Sequence, residues 1–220
     1  MKGTFAQLSL GVVLLAALAI GAAGCGSSGI SALTVDGHQV SQNSVDDELK
    51  ALRDNAQFRA LADRQAANNA NSPRVSDNPY SVTTGLSSAW VTNLITDELV
   101  KLELASQHAT VSAADKAAAL SQGPQNFGTK AVFDAFPKSF RDAFVARGAR
   151  VFALARALNA DITSQAGVTT VLTALARRAV KAHISVDPRY GTWNLKQLAV
   201  DPPLAPGEPR PKTVNPAAGG

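Results

Sequence analysis

The chain contains a single cysteine, Cys25, and it stands just behind an apolar run. No intrachain disulfide can staple this fold, so the folded part must be held by an apolar core of its own, which a chain of 220 residues is long enough to build. The position of the cysteine assigns it other work. Lys2 places one positive charge ahead of residues 8–20, an apolar stretch of secretory h-region length and too short to span a bilayer, and small residues follow it.

Ala22, Ala23, Gly24 and Cys25 resemble a bacterial lipobox, in which the cysteine is S-diacylated and becomes the first residue after cleavage behind Gly24. The position three before the cysteine is Ala22 where leucine is usual, so a second reading stands beside the first: an ordinary signal peptide cut near Ala23, leaving Cys25 as a free thiol. On the first reading residues 1–24 are the leader, 25–31 a flexible leash, and the protein sits on the extracytoplasmic face of the cell membrane. Two acyl chains anchor stably where one gives reversible binding, each buried methylene contributing ~0.8 kcal/mol. Loss of the leader removes Lys2 and lowers the formal net charge from +4 to +3. With so small a charge spread along the chain, nucleic acid is not expected as a partner, because a phosphate-binding face needs a basic stripe.

The remainder predicts a mainly α-helical domain over residues 32–200, closed by a small β-sheet from its two ends. "ALTVDGHQV" (32–40) alternates apolar and polar positions around Asp36-Gly37, the signal of a tight hairpin. "SQNSVDDELKALRDNAQF" predicts a first helix capped by Ser44, with Asp46, Asp47 and Glu48 in its first turn and Val45, Leu49, Leu52 and Ala56 as its buried stripe. Residues 62–87, rich in Asn, Ser, Asp and Pro, read as a long exposed loop. Val91, Leu94, Ile95, Glu98, Leu99 and Leu102 then recur at the spacing of an amphipathic helix. A shorter helix starts at Ser112 with Asp115 at the capping-box position and ends at Gly123-Pro124.

Phe133, Phe136, Phe140 and Phe144 share one face of a fourth helix that Val151, Leu154 and Leu158 continue, with Pro137 in its first turn. The fifth helix, 168–182, buries Val171, Leu172 and Leu175 and carries Arg177, Arg178 and Lys181 at its negative end. "HISVDPRYGTWN" returns to strand character around Asp187-Pro188 and is expected to pair with the first hairpin, since an isolated hairpin is marginal in water. Residues 201–220, with six prolines, read as a tail without a core.

Four of these stretches carry a resemblance. "TVDGHQVSQNSVDDELKAL" resembles the opening of the SurA N-terminal family, the chaperone module of periplasmic and surface foldases. "VTNLITDELVKLELASQHATVSAAD" is similar to its second and third helices, with Val111, Ser112 and Asp115 at the cap. "VFDAFPKSFRDAFVARGARV" and "ISVDPRYGTW" resemble segments of SurA-like lipoproteins. The resemblance implies the helical cradle closed by terminal strands that is shared with PrsA and, more distantly, with the C-terminal module of trigger factor. It also implies binding of extended apolar segments of unfolded secreted polypeptides. Many members insert a parvulin prolyl isomerase domain before the last helix, but here residues 159–167 alone separate the fourth and fifth helices. No catalytic residue is carried over, and no enzymatic activity or cofactor is expected.

The residue pattern offers little chemistry against that expectation. His38, His108 and His183 lie far apart with no carboxylate or cysteine at ligand spacing, and no nucleophile elbow, S-x-x-K, phosphate loop or H-E-x-x-H is present. Asp46, Asp47 and Glu48 read as a solvated helix start. Trp90, Phe133, Phe136, Phe140, Phe144, Tyr190 and Trp193 are the candidate client-binding residues, although four phenylalanines at helical spacing are more often core than binding cleft. An envelope scaffold binding one folded partner, and a degenerate prolyl isomerase, are the alternatives to a chaperone.

Overall fold

Residues 30–68, 74–75 and 81–203 are described by a computed structural model of the chain. The expected leader, Cys25, most of the leash, the middle of the 62–87 loop and nearly all of the tail lie outside the described residues. The fold is mainly helical, with two small antiparallel sheets. Strands β1 (Ser31–Val35) and β2 (His38–Ser41) form the hairpin that Asp36-Gly37 predicts, both turn residues taking positive φ, 48° and 83°. Ser31 already belongs to β1, so the first strand begins inside the expected leash. Strand β3 (Ile184–Val186) pairs on the other side of β1 with Leu33 opposite Val186, giving the order β2-β1-β3 and joining the two ends of the domain as expected.

Helix α1 (Gln42–Asp54) is capped by Ser41, whose side chain accepts from Ser44 N, rather than by Ser44 itself. The three acidic residues therefore lie beyond the first turn. Val45, Leu49 and Leu52 are buried as expected, but Ala56 is exposed because the helix breaks one residue earlier. The break is made by Asn55: its Oδ1 accepts from Phe58 N at 3.0 Å to start α2 (Ala56–Asn68), and its Nδ2 donates to Val132 O at 3.0 Å. Thus residues 62–68 are helix, not loop. Only Ala62 of α2 is buried, and the helix rests on the propensity of its Ala, Gln, Arg and Leu residues instead of on an apolar stripe.

Helix α3 (Thr84–Ser106) begins inside the other end of the expected loop, where Thr83 caps it and donates its own N–H to Val75 O at 3.0 Å. It is not a one-sided amphipathic helix. It packs on α1, β1, α6, α7 and β5, and buries Asp97 and Glu98 together with its apolar residues; Leu102 is half-buried. Helix α4 (Ala113–Gln122) carries the predicted capping box: Ser112 Oγ accepts from Asp115 N at 3.1 Å, and Asp115 Oδ2 accepts from Ser112 N at 2.8 Å. A 3₁₀ turn (Gly123–Phe127) follows.

The single fourth helix expected from the phenylalanine spacing is two. Helix α5 (Lys130–Asp134) ends before Pro137, and α6 (Lys138–Ala157) starts after it, with Pro137 as the capping residue because it can offer no N–H and its φ of -53° suits the entry. Helix α4 lies along α6 where Gly148 faces Ala119, a Cβ at Gly148 falling 3.2 Å from the alanine methyl. Helix α7 (Gln165–Lys181) buries Val171 and Leu175, but Leu172 is exposed, the inward face passing through Ala174 and Ala179 instead. Strands β4 (Thr192–Asn194) and β5 (Ala199–Asp201) form the second sheet, and Val200 N donates to Thr92 Oγ1 on α3 at 2.8 Å. Asp201, assigned to the tail from sequence, is therefore in a strand; its neighbour Val200 fills a gap in the core.

Asp115 also receives Arg156 Nη2 at 2.9 Å from α6, and that guanidinium, together with the Ser112 donors, lowers its carboxyl to about 2 against an ordinary 3.8. A depressed folded value means the contribution to stability is complete above 3.8 and is lost as the pH falls through about 2. Asp115→Asn should unfold at lower temperature than the parent at pH 6, and the gap between the two melting curves should close as acid is added through that window.

Candidate functional site

An apolar concavity with aromatic walls lies where α1, α2, α3 and α6 meet. Leu52, Phe58, Leu86, Trp90, Phe127 and Phe144 supply its apolar surface, Val151 closes one end, and its volume is about 400 Å³. A dry cavity of ~150 Å³ accepts a benzene ring, so this one has room for two or three side chains of that size. Its polar lining is sparse: Asn93 and Thr96 on one turn of α3, Asn126 on the 3₁₀ turn, and the pair Asp97 and Arg147.

Trp90 is fixed on three sides. Its Nε1 donates to Glu48 Oε2 at 2.8 Å, its ring stacks on Phe140 at 5.5 Å between centroids, and the Arg147 guanidinium lies over it at 5.4 Å. Arg147 Nη1 in turn donates to the other Glu48 oxygen at 2.9 Å, so one carboxylate from α1 orients both the indole and the guanidinium of the wall. Asp97 is fully engaged as well, accepting from Arg150 Nε and Nη2 at 2.6 and 2.7 Å, with Lys101 Nζ at 3.3 Å. Both charges of the wall thus have partners outside it, although Arg147 Nη2 is buried without a hydrogen bond, and the rest of the lining is apolar surface with two amides and a hydroxyl.

Of the seven sequence-predicted residues, Trp90 and Phe144 line this cleft. Phe136 and Phe140 are buried beneath it, their rings stacked at 4.5 Å, and Phe133 is buried under a different groove between α4 and α6. Tyr190 and Trp193 belong to the sheet end of the domain and line neither. The Tyr190 hydroxyl donates to Asp46 Oδ1 at 3.0 Å and accepts from Arg189 Nη2; burial, reinforced by the Asp46 carboxylate, pushes the phenol up to about 12. Only Phe144 and Trp193 of the seven are half-buried; Trp90, Phe133, Phe136, Phe140 and Tyr190 are core residues by exposure.

Phe58 and Phe127 are the site residues that sequence reasoning misses. Phe127 sits within 6.0 Å of the ring centres of Phe58, Phe133, Phe136, Phe140 and Phe144, yet "GPQNFG" carries no periodicity to reveal it. The acidic triplet is only in part a solvated helix start: Asp46 and Asp47 are exposed, but Asp46 accepts from the Tyr190 hydroxyl and the half-buried Glu48 braces Trp90 and Arg147. His38, His108 and His183 are exposed, and among the described residues no three His, Cys, Asp or Glu side chains are placed to hold a metal ion. No helix of the described residues is long and apolar enough to cross a membrane.

The chain matches no protein-family model, no curated protein and no solved structure.

Glu48 and Arg147 each keep 14 % of their side-chain surface, so removing one leaves the other largely dehydrated and without its partner. Glu48→Ala should lower the unfolding free energy by about 2–3 kcal/mol and release the Trp90 indole, read as a red shift of its emission in a Trp193→Phe background.

Proposed function

We propose that this protein is a lipid-anchored extracytoplasmic binding factor that holds apolar segments of unfolded secreted polypeptides without catalysing a covalent step. The single observation that supports it best is the braced aromatic cleft of about 400 Å³, lined chiefly by apolar and aromatic side chains, so that apolar contact is its main available interaction. The β1–β3 pairing of the two ends, the Ser112–Asp115 capping box and the direct passage from α6 to α7 are in keeping with a SurA N-terminal-like domain that lacks a parvulin insert. The lipobox-like Ala22 to Cys25 supports the anchor.

The burial of five of the seven candidate rings favours a narrower second reading, an envelope adaptor whose cleft receives one protein rather than many. Rings locked in a core cannot re-pack around varied clients, which is what promiscuous surfaces do.

Residues 26–220 retain every described element, so the fragment serves for the test. At near-stoichiometric ratio it should slow the aggregation of a reduced, unfolded secretory protein. Asn93 is exposed on the cleft wall, so Asn93→Trp fills the opening without touching the core and should reduce the protection several-fold. An unprotected client would refute chaperone binding, and crosslinking that captures one dominant secreted partner in place of a broad set would establish the adaptor instead.

A further inference from the structure

A second groove runs between α4 and the first half of α6, separate from the aromatic cleft, with a volume of about 440 Å³. Its floor is Leu120, Phe133, Val145 and Ala146. Leu120 is 60 % exposed although it sits on a helix that packs closely on α6 through its neighbour Ala119. The groove has an apolar floor and a cationic rim. Lys116 and Arg141 flank it with Lys138, and Lys130 stands beside it through Asp134. Against these four cations the rim sets two carboxylates: Asp134, shared by Lys130 and Arg141, and Asp142, held by Lys138. Among the described residues Lys116 has no carboxylate partner, so the rim carries an uncompensated positive charge at the lip nearest Leu120, one turn away on α4.

We propose that this groove docks an acidic amphipathic segment of a partner protein, one leucine-sized side chain seated on Leu120, Phe133 and Val145 and a carboxylate beside it on Lys116. Charge selects the occupant: a basic or neutral segment leaves the excess of cations unanswered, while an acidic one completes the pairing that Asp134 and Asp142 only begin. Shape selects a protein over a bilayer. The apolar floor lies between two helices, where a protruding side chain reaches it and a flat lipid surface does not. The proposal is independent of the aromatic cleft and of what that cleft binds.

The probe is an amphipathic peptide of about fourteen residues with leucines at i, i+3, i+7 spacing in a glutamate and alanine background, titrated calorimetrically into residues 26–220 at low salt, beside its lysine-for-glutamate counterpart. The acidic peptide should bind and the basic one should not. Both Leu120 and Lys116 are exposed, so substitution leaves the core intact. Leu120→Ser should weaken binding about tenfold through the lost anchor, and Lys116→Ala about threefold, with raised salt removing that second difference. Equal binding of the two peptides, or indifference to both substitutions, would overturn the proposal. So would sedimentation of the fragment with phosphatidylglycerol vesicles, or self-association in the ultracentrifuge, that disappears in Leu120→Ser, since the groove would then face a membrane or a second copy.

Discussion

Phe127 is the residue on which the rest of the domain converges. With no disulfide available, the helices must find one another through apolar contact, and this ring receives Phe58 from α2, Phe133 from α5, Phe140 and Phe144 from α6, and Phe136 from the link between the last two. Each ring brings on the order of 150–250 Å² of buried area with few rotors to freeze, so a cluster of six supplies much of what a small core can offer. The 3₁₀ turn that carries Phe127 is short and irregular. Its backbone bends so that a residue which would otherwise leave α4 toward solvent is turned back under α6.

Apolar contact is not directional, and the cluster alone would tolerate several rotations of α6. Three arginines on that helix remove the freedom. Arg147 reaches Glu48 on α1, Arg150 grips Asp97 on α3 through two parallel bonds, and Arg156 reaches Asp115 on α4. Each acid lies on a different helix, so only one rotation of α6 satisfies all three. Buried ion pairs are weak sources of net stability, because the desolvation of each group offsets most of the attraction. Their effect here is on register: a misrotated α6 takes Arg150 from Asp97, 8 % exposed, and leaves it only Lys101 of its own helix at 3.3 Å in place of two short guanidinium bonds.

That division between apolar and charged contacts decides what can be read from the sequence. The hairpin turn at Asp36-Gly37, the Ser112–Asp115 box and the pairing of the two ends are legible because each is a local rule or a consequence of one. The residues 62–68 are misread as loop since a helix stabilised by propensity and an Asn55 cap shows no apolar period. Leu172 is misplaced because α7 turns its alanines inward, and small residues leave no mark on a hydrophobic pattern. The candidate site is half legible. Trp90 and Phe144 belong to periodic helices, whereas Phe58, Phe127, Asn126 and the pairing of Arg147 with Glu48, 99 residues away, depend on tertiary contacts that no local spacing encodes.

The aromatic cleft is a consequence of the same cross-ties. Its walls are already fixed in place: Trp90, 6 % exposed, is held between Phe140 and Arg147. Glu48 of α1 holds the Trp90 indole N–H of α3 and the Arg147 guanidinium of α6 at once, and one turn further along α6 Arg150 is held by Asp97 of α3. Each of these bonds fixes the rotation of a wall side chain, although Arg147 Nη2 stays buried without a partner. Closing the cleft further would require these charge-assisted bonds to be broken or re-aimed, and such bonds are roughly twice as strong as neutral ones.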